Sequence, residues 1–243
     1  MFKKIEKLIS ASTDPQLRFN LRVLAVKSGI NAQTFKGSME KLLYPSYLTE
    51  QGIQFIHVPK AAGTSIASAI YSRVIPHHSA EYYHCVNSSR FRDTLSFAVV
   101  RDPIERFKSS FRFLISGGTK TVKVKKSFKY KRFQKKQDIN CFVKEWLIKQ
   151  KTLDFTLMPQ SDFVCSKKGD LLVTKIFDLS DIESCSKLIS KEVGKDIYIP
   201  RINSTNDQSL VNLNEDSIKI LKEFYSKDYE LLNKHIGYLW HGS

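Results

Sequence analysis

Apolar positions in the first fifty residues recur three and four apart, at Leu17, Leu21 and Leu24 and again after Asn31, which is the period of an amphipathic helix. Residues 1–50 therefore predict a helical N-terminal extension. The period changes at Ile53. Ile53-Gln54-Phe55-Ile56-His57-Val58 is a short β-prone run stopped by Pro59, and after a loop of small residues Ser65 to Tyr71 resumes a helical pattern. Leu95 to Val100 is a continuous apolar run of the kind expected of a strand covered on both faces. Asp102 then caps, and Pro103 opens, a helix whose apolar face is Ile104, Phe107, Phe111 and Leu114. A third strand is predicted within Asp170 to Leu179. Ser180 and Glu183 form a capping-box pattern for a helix stopping near Gly194. Asn214 opens a last helix with Ile218, Leu221, Phe224 and Tyr225 on one side and Gly237 at its end.

Alternating strands and helices predict an α/β fold: a single P-loop-like domain over residues 51–243, with a central parallel sheet flanked by helices on both faces. The formal net charge of +15 points to an anionic partner such as a phosphate-bearing cofactor, an acidic polysaccharide, nucleic acid or a membrane surface. Much of that charge falls in a basic insertion near 119–137, where Lys120 to Lys136 contains no acid. It reads either as a solvated loop or as the wall of a cleft for an anionic glycan. The aromatic rings of Phe128, Tyr130 and Phe133 among the lysines favour contact with sugar.

Cys85, Cys141, Cys165 and Cys185 are too scattered for a zinc or redox motif and read as reduced core residues, so no metal is expected. Met1 to Ser12 has lysines but no apolar run after them, and no stretch approaches the ~20 apolar residues of a membrane span. A cytoplasmic protein is the expectation.

Two loops carry the candidate chemistry. Pro59-Lys60-Ala61-Ala62-Gly63-Thr64-Ser65 lies where a strand hands over to a helix, so backbone N–H groups and the helix dipole converge on an anion. Lys60 adds a mobile cation, and Thr64 and Ser65 add hydroxyls that also suit a helix cap. The lysine precedes the glycine, which departs from the Walker pattern and disfavours a magnesium-dependent nucleotidase. Arg101-Asp102-Pro103-Ile104-Glu105-Arg106-Phe107-Lys108-Ser109 also begins at a strand end, and Arg101 and Ser109 suit one phosphate. Two anion sites at neighbouring strand ends fit a ligand with two separated phosphate groups.

Together, His57 to Ser65 and Val99 to Ser109 resemble the two cofactor signatures of the family 2 carbohydrate sulfotransferases. The resemblance covers roughly 53–238 and extends to Pro159-Gln160, Asn203-Ser204-Thr205, Asp228-Tyr229-Glu230-Leu231-Leu232 and Gly237-Tyr238. It implies 3'-phosphoadenosine 5'-phosphosulfate (PAPS) as sulfuryl donor, with the 5'-phosphosulfate on Lys60, Ala61, Ala62, Gly63, Thr64 and Ser65 and the 3'-phosphate on Arg101 and Ser109. It further implies a carbohydrate acceptor, Lys60 on the bridging oxygen of the leaving group, and no need of a metal. Several members carry a histidine just before the Pro-Gln pair. Here Thr156-Leu157-Met158 stands in its place, so that histidine's role does not carry over.

A neutral histidine is the usual group to take the acceptor's proton. His77, His78 and His84 all lie between the two motifs, with Glu81 as a carboxylate alternative. His84, in Tyr83-His84-Cys85-Val86, resembles the histidine of the uronyl 2-O-sulfotransferases and is preferred; His77-His78-Ser79-Ala80 resembles a segment of many bacterial members. His57 reads as a strand residue. Two other functions remain open: a nucleotide-dependent kinase with a variant loop, and a non-catalytic binder of polyanion or nucleic acid.

Overall fold

The computed structural model describes residues 43–118, 133, 138–150, 153–199 and 211–237. Most of the expected N-terminal extension, the basic insertion apart from Phe133, and Asn203-Ser204-Thr205 lie outside the described residues. The end of the extension that is described forms a single 3-10 turn, Ser46–Leu48, docked on the first strand. There the Tyr44 hydroxyl donates to Gln54 Oε1, and Arg90 donates from Nη1 to the Tyr44 carbonyl at 2.8 Å.

The sheet is parallel and three-stranded among the described residues, in the order β1 (Ile53–Ile56), β2 (Leu95–Val100), β3 (Lys175–Asp178). Phe55 sits beside Phe97 in one register and Val100 beside Asp178 in the other. β1 is buried throughout and β2 nearly so, as their unbroken apolar runs require, whereas β3 is half-exposed and shorter than the expected run. Between β1 and β2 lie α1 (Gly63–Tyr71), α2 (Ala80–Val86) and α3 (Ser88–Asp93). α4 (Pro103–Ile115) follows β2 and buries Phe107, Phe111 and Leu114, with Ile104 at the margin. Asp102 caps it as expected, its side chain accepting from Glu105 N at 2.8 Å.

After an irregular helical stretch over 139–149, the short α5 (Ser161–Val164) leads to β3. α6 (Ile182–Val193) ends on left-handed Gly194 as expected, but its cap is Asp181 rather than Ser180. Asp178 and Asp181 both accept backbone amides here, from Ser180 and Ser184, so a 3-10 turn intervenes and shifts the helix start. The expected single last helix is two, α7 (Glu215–Phe224) and α8 (Ser226–Ile236), broken at Tyr225. The Tyr225 ring is buried and its hydroxyl donates to the Leu157 carbonyl at 2.8 Å, a tertiary bond that the helical period does not reveal. The cysteines divide as well: Cys165 and Cys185 are buried, but Cys85 and Cys141 are only half-buried. Phe133 also departs from expectation. It packs in the core against Phe142, ring centroids 5.1 Å apart, and is not presented to a sugar.

One buried ion pair ties these pieces together. Arg106 on α4 and Asp228 on α8 are both fully buried, with Nη2 4.0 Å from Oδ2. Arg106 also donates to the carbonyls of Thr156 and Met158, at 3.1 and 2.5 Å, while Asp228 accepts the amides of Gln160 and Ser161, each at 2.9 Å. Both charges are thus held by the 156–161 segment threaded between the two helices, with only Arg106 Nε left without a hydrogen bond within this network. Removing one partner strands the other in the core. Asp228→Ala is expected to cost about 3–5 kcal/mol in urea unfolding, whereas Lys187→Ala, which breaks the exposed Lys187–Glu183 pair, leaves the unfolding midpoint unchanged.

Candidate active site

The loop between β1 and α1 holds two non-glycine residues in the left-handed region, Lys60 at φ 66° and Ala62 at φ 58°. Such conformations are costly for L-residues and recur where a backbone must curl around a ligand. No side chain caps α1: Ala62 is its N-cap, and the expected cap from Thr64 or Ser65 is not formed. The partial positive charge of the helix N-terminus is therefore not offset by a side-chain cap. Ala61, Gly63 and Ser65 are buried, Ala62 is half-buried, and Thr64 is exposed.

Gly63 is required by packing. A Cβ there would lie 1.9 Å from His57 Cδ2 and 2.0 Å from its Nε2, so the imidazole rests directly on the glycine backbone. His57, just past β1, is buried, and burial with His77 alongside holds its pKa well below the ordinary histidine value against the opposing effect of the Ile75 backbone. It is a neutral ring supporting the loop from beneath.

The second motif supplies cations. Arg101 ends β2, and its backbone is gripped by the Gln160 side chain: Arg101 N donates to Oε1 at 2.9 Å, and Nε2 donates to Arg101 O at 2.7 Å. Gln160 is itself fixed by Asp228, so the buried ion pair governs where Arg101 stands. The Arg101 guanidinium lies 3.5 Å from Glu105, which also accepts from Lys108 at 2.7 Å. Glu105, Ser109 and Arg112 recur four and three apart, hence on one face of α4. Lys60 reaches the same helix, its Nζ 4.4 Å from the centroid of the Phe113 ring. Burial, then Arg101, then Arg112, lower the Lys60 pKa to about 8. Arg101 is likewise lowered by burial and by Arg112, with Glu105 opposing.

The three candidate bases are separated. His77 is brought to the loop: its ring centroid is 3.8 Å from that of His57 and 4.9 Å from that of Phe155, and its Nδ1 is 3.1 Å from the His57 carbonyl. A carbonyl only accepts, so Nδ1 carries the proton and Nε2 keeps its lone pair. Burial lowers the His77 pKa to about 4, with Lys60 adding to the effect. His78 instead stacks on Tyr82 at 4.2 Å, and His84 on α2 meets the edge of Phe91 on α3 at 6.0 Å.

Strand, loop, uncapped helix and a second helix bearing cations form an arrangement able to receive an anion. The chain belongs to the sulfotransferase family, whose model matches residues 47–235, and it therefore carries a sulfuryl-transfer domain. Neither a curated protein nor a solved structure matches it. Among the described residues no helix is long and apolar enough to cross a membrane, and no cluster of His, Cys, Asp or Glu is placed to hold a metal ion.

Sequence reasoning found both loops but missed Gln160 as the clamp on Arg101, Arg112 as a third cation and His57 as the support of Gly63. The spacing from Ser109 to Arg112 was a readable signal for the second; the other two depend on the fold. Gly63→Ala is expected to lower the thermal midpoint and disrupt the loop, at about 1–3 kcal/mol for such overpacking. Combining it with His57→Ala, which empties the space the new methyl needs, should recover part of the loss in a double-mutant cycle.

Proposed function

We propose that this protein transfers a sulfuryl group from PAPS to a hydroxyl of a carbohydrate acceptor. The observation carrying this reading is the convergence of the Lys60–Ser65 loop with Arg101 and the Ser109 face of α4. This gives two cationic ends suited to a nucleotide phosphorylated at both 5' and 3' positions. Lys60, Ala61, Ala62, Gly63, Thr64 and Ser65 hold the 5' end, and Arg101 and Ser109 hold the 3'-phosphate. The net charge of +15 suits an anionic glycan as acceptor.

In this mechanism the bond from sulfur to the acceptor oxygen forms as the bond from sulfur to the phosphate-bridging oxygen breaks. Lys60 donates a hydrogen bond to that bridging oxygen as negative charge builds on it, which is where a preorganised cation is most effective. His77 accepts the acceptor's proton at Nε2, the nitrogen left free by the bond from Nδ1 to the His57 carbonyl. Its low pKa keeps it neutral at pH 7, and the anionic donor beside it raises its proton affinity as the reaction proceeds. His77 thus replaces His84 as the preferred base because it is the histidine adjoining the loop.

Transfer of labelled sulfate from PAPS to a panel of anionic and neutral glycans tests the proposal. Lys60→Ala is expected to lower kcat by about 10²–10³. His77→Ala should lower it strongly while His84→Ala leaves it near wild type; the reverse order would return the base to α2. Lys60 loses its proton as pH rises through about 8 in the free enzyme, so kcat/KM should fall above that pH. The limb in kcat should move to higher pH, because a bound anion restores the charge on Lys60. An alkaline limb unaltered in Lys60→Arg would assign it to another group.

A further inference from the structure

Arg112 has no place in the two-motif reading, yet its position on α4 is specific. It lies three residues beyond Ser109 on the same face and immediately before Phe113, whose ring carries the Lys60 ammonium at 4.4 Å. Along the helix the order is Glu105 with Arg101, then Ser109, then Arg112, then the Lys60 contact. Arg112 therefore stands beyond Ser109 in the direction of the turn that the Lys60 ammonium reaches, and away from the Glu105 end that Arg101 meets. It is half-buried, a placement in which a guanidinium is only partly hydrated and binds oxyanions well.

We propose that Arg112 is a further donor-binding residue that contacts the non-bridging oxygens of the 5'-phosphosulfate group together with Lys60, rather than the 3'-phosphate with Arg101. The inference rests on the PAPS reading above and adds to it a residue and a division of labour: a planar guanidinium for the non-bridging oxygens, a mobile ammonium for the bridging one. The electrostatics agree. Arg112 lies within electrostatic reach of both other cations: it lowers the pKa of Lys60, after burial and Arg101, and that of Arg101, after burial. Burial does most to lower the Lys60 pKa to about 8, and the two guanidinium groups add to it.

Binding of adenosine 5'-monophosphate, adenosine 3'-monophosphate and adenosine 3',5'-bisphosphate to wild type, Arg112→Ala, Arg112→Lys and Arg101→Ala provides the test, by calorimetry on protein whose fold is verified by its thermal midpoint. Arg112→Ala should weaken the 5'-monophosphate and the bisphosphate by about 10- to 100-fold and leave the 3'-monophosphate unchanged. Arg101→Ala should show the opposite pattern. The alkaline limb of Lys60 should also rise in Arg112→Ala and stay in place in Arg112→Lys, a readout that a packing role would not move. Selective loss of the 3'-monophosphate in Arg112→Ala, or equal affinity for all three ligands in that variant and wild type, overturns the assignment. If wild type gains nothing from the 3'-phosphate, the PAPS reading itself fails, a result distinct from either.

Discussion

The buried Arg106–Asp228 pair is the constraint on which the rest of the site depends. Neither charge is near solvent, and both bond to backbone groups of the same segment, 156–161. A pair held this way does little for net stability compared with an apolar contact, but it tolerates no change of register between α4, α8 and the segment. Gln160 is positioned by that register and clamps both backbone groups of Arg101. Arg101 is thereby fixed through its main chain, while its guanidinium lies beside Glu105 on α4.

The loop on the other strand is built on the opposite logic. Lys60 and Ala62 stand in the left-handed region, and the helix that follows has no side-chain cap. His57 supports this arrangement from below by lying against Gly63, where no side chain fits, and its carbonyl orients His77. Backbone strain and an uncapped helix N-terminus are thus concentrated in one loop. The surrounding core of Phe55, Phe97 and Val99 holds the strand ends in place meanwhile.

The parts legible in the sequence were those governed by local rules. The runs at 53 and 95 read as strands because they are short, apolar and followed by breakers, and Asp102-Pro103 marked the start of α4 to the residue. Gly194 and Gly237 stopped helices where a left-handed residue was needed. What failed depended on distant partners. Tyr225 breaks a continuous helical period through a bond to Leu157, and Phe133 is drawn into the core by Phe142 despite its lysine neighbours. The choice among His77, His78 and His84 turns on how the chain returns from α1 to α2, which no spacing encodes.

In the proposed function the 60–65 loop and the Arg101–Ser109 face are the two ends of one nucleotide site. A crystal structure with adenosine 3',5'-bisphosphate tests it most directly. The account predicts the 5'-phosphate on the loop amides and Lys60 and the 3'-phosphate within hydrogen-bonding distance of Arg101 and Ser109. A nucleotide bound in the reverse sense, or with its 3'-phosphate in solvent away from Arg101, would contradict it.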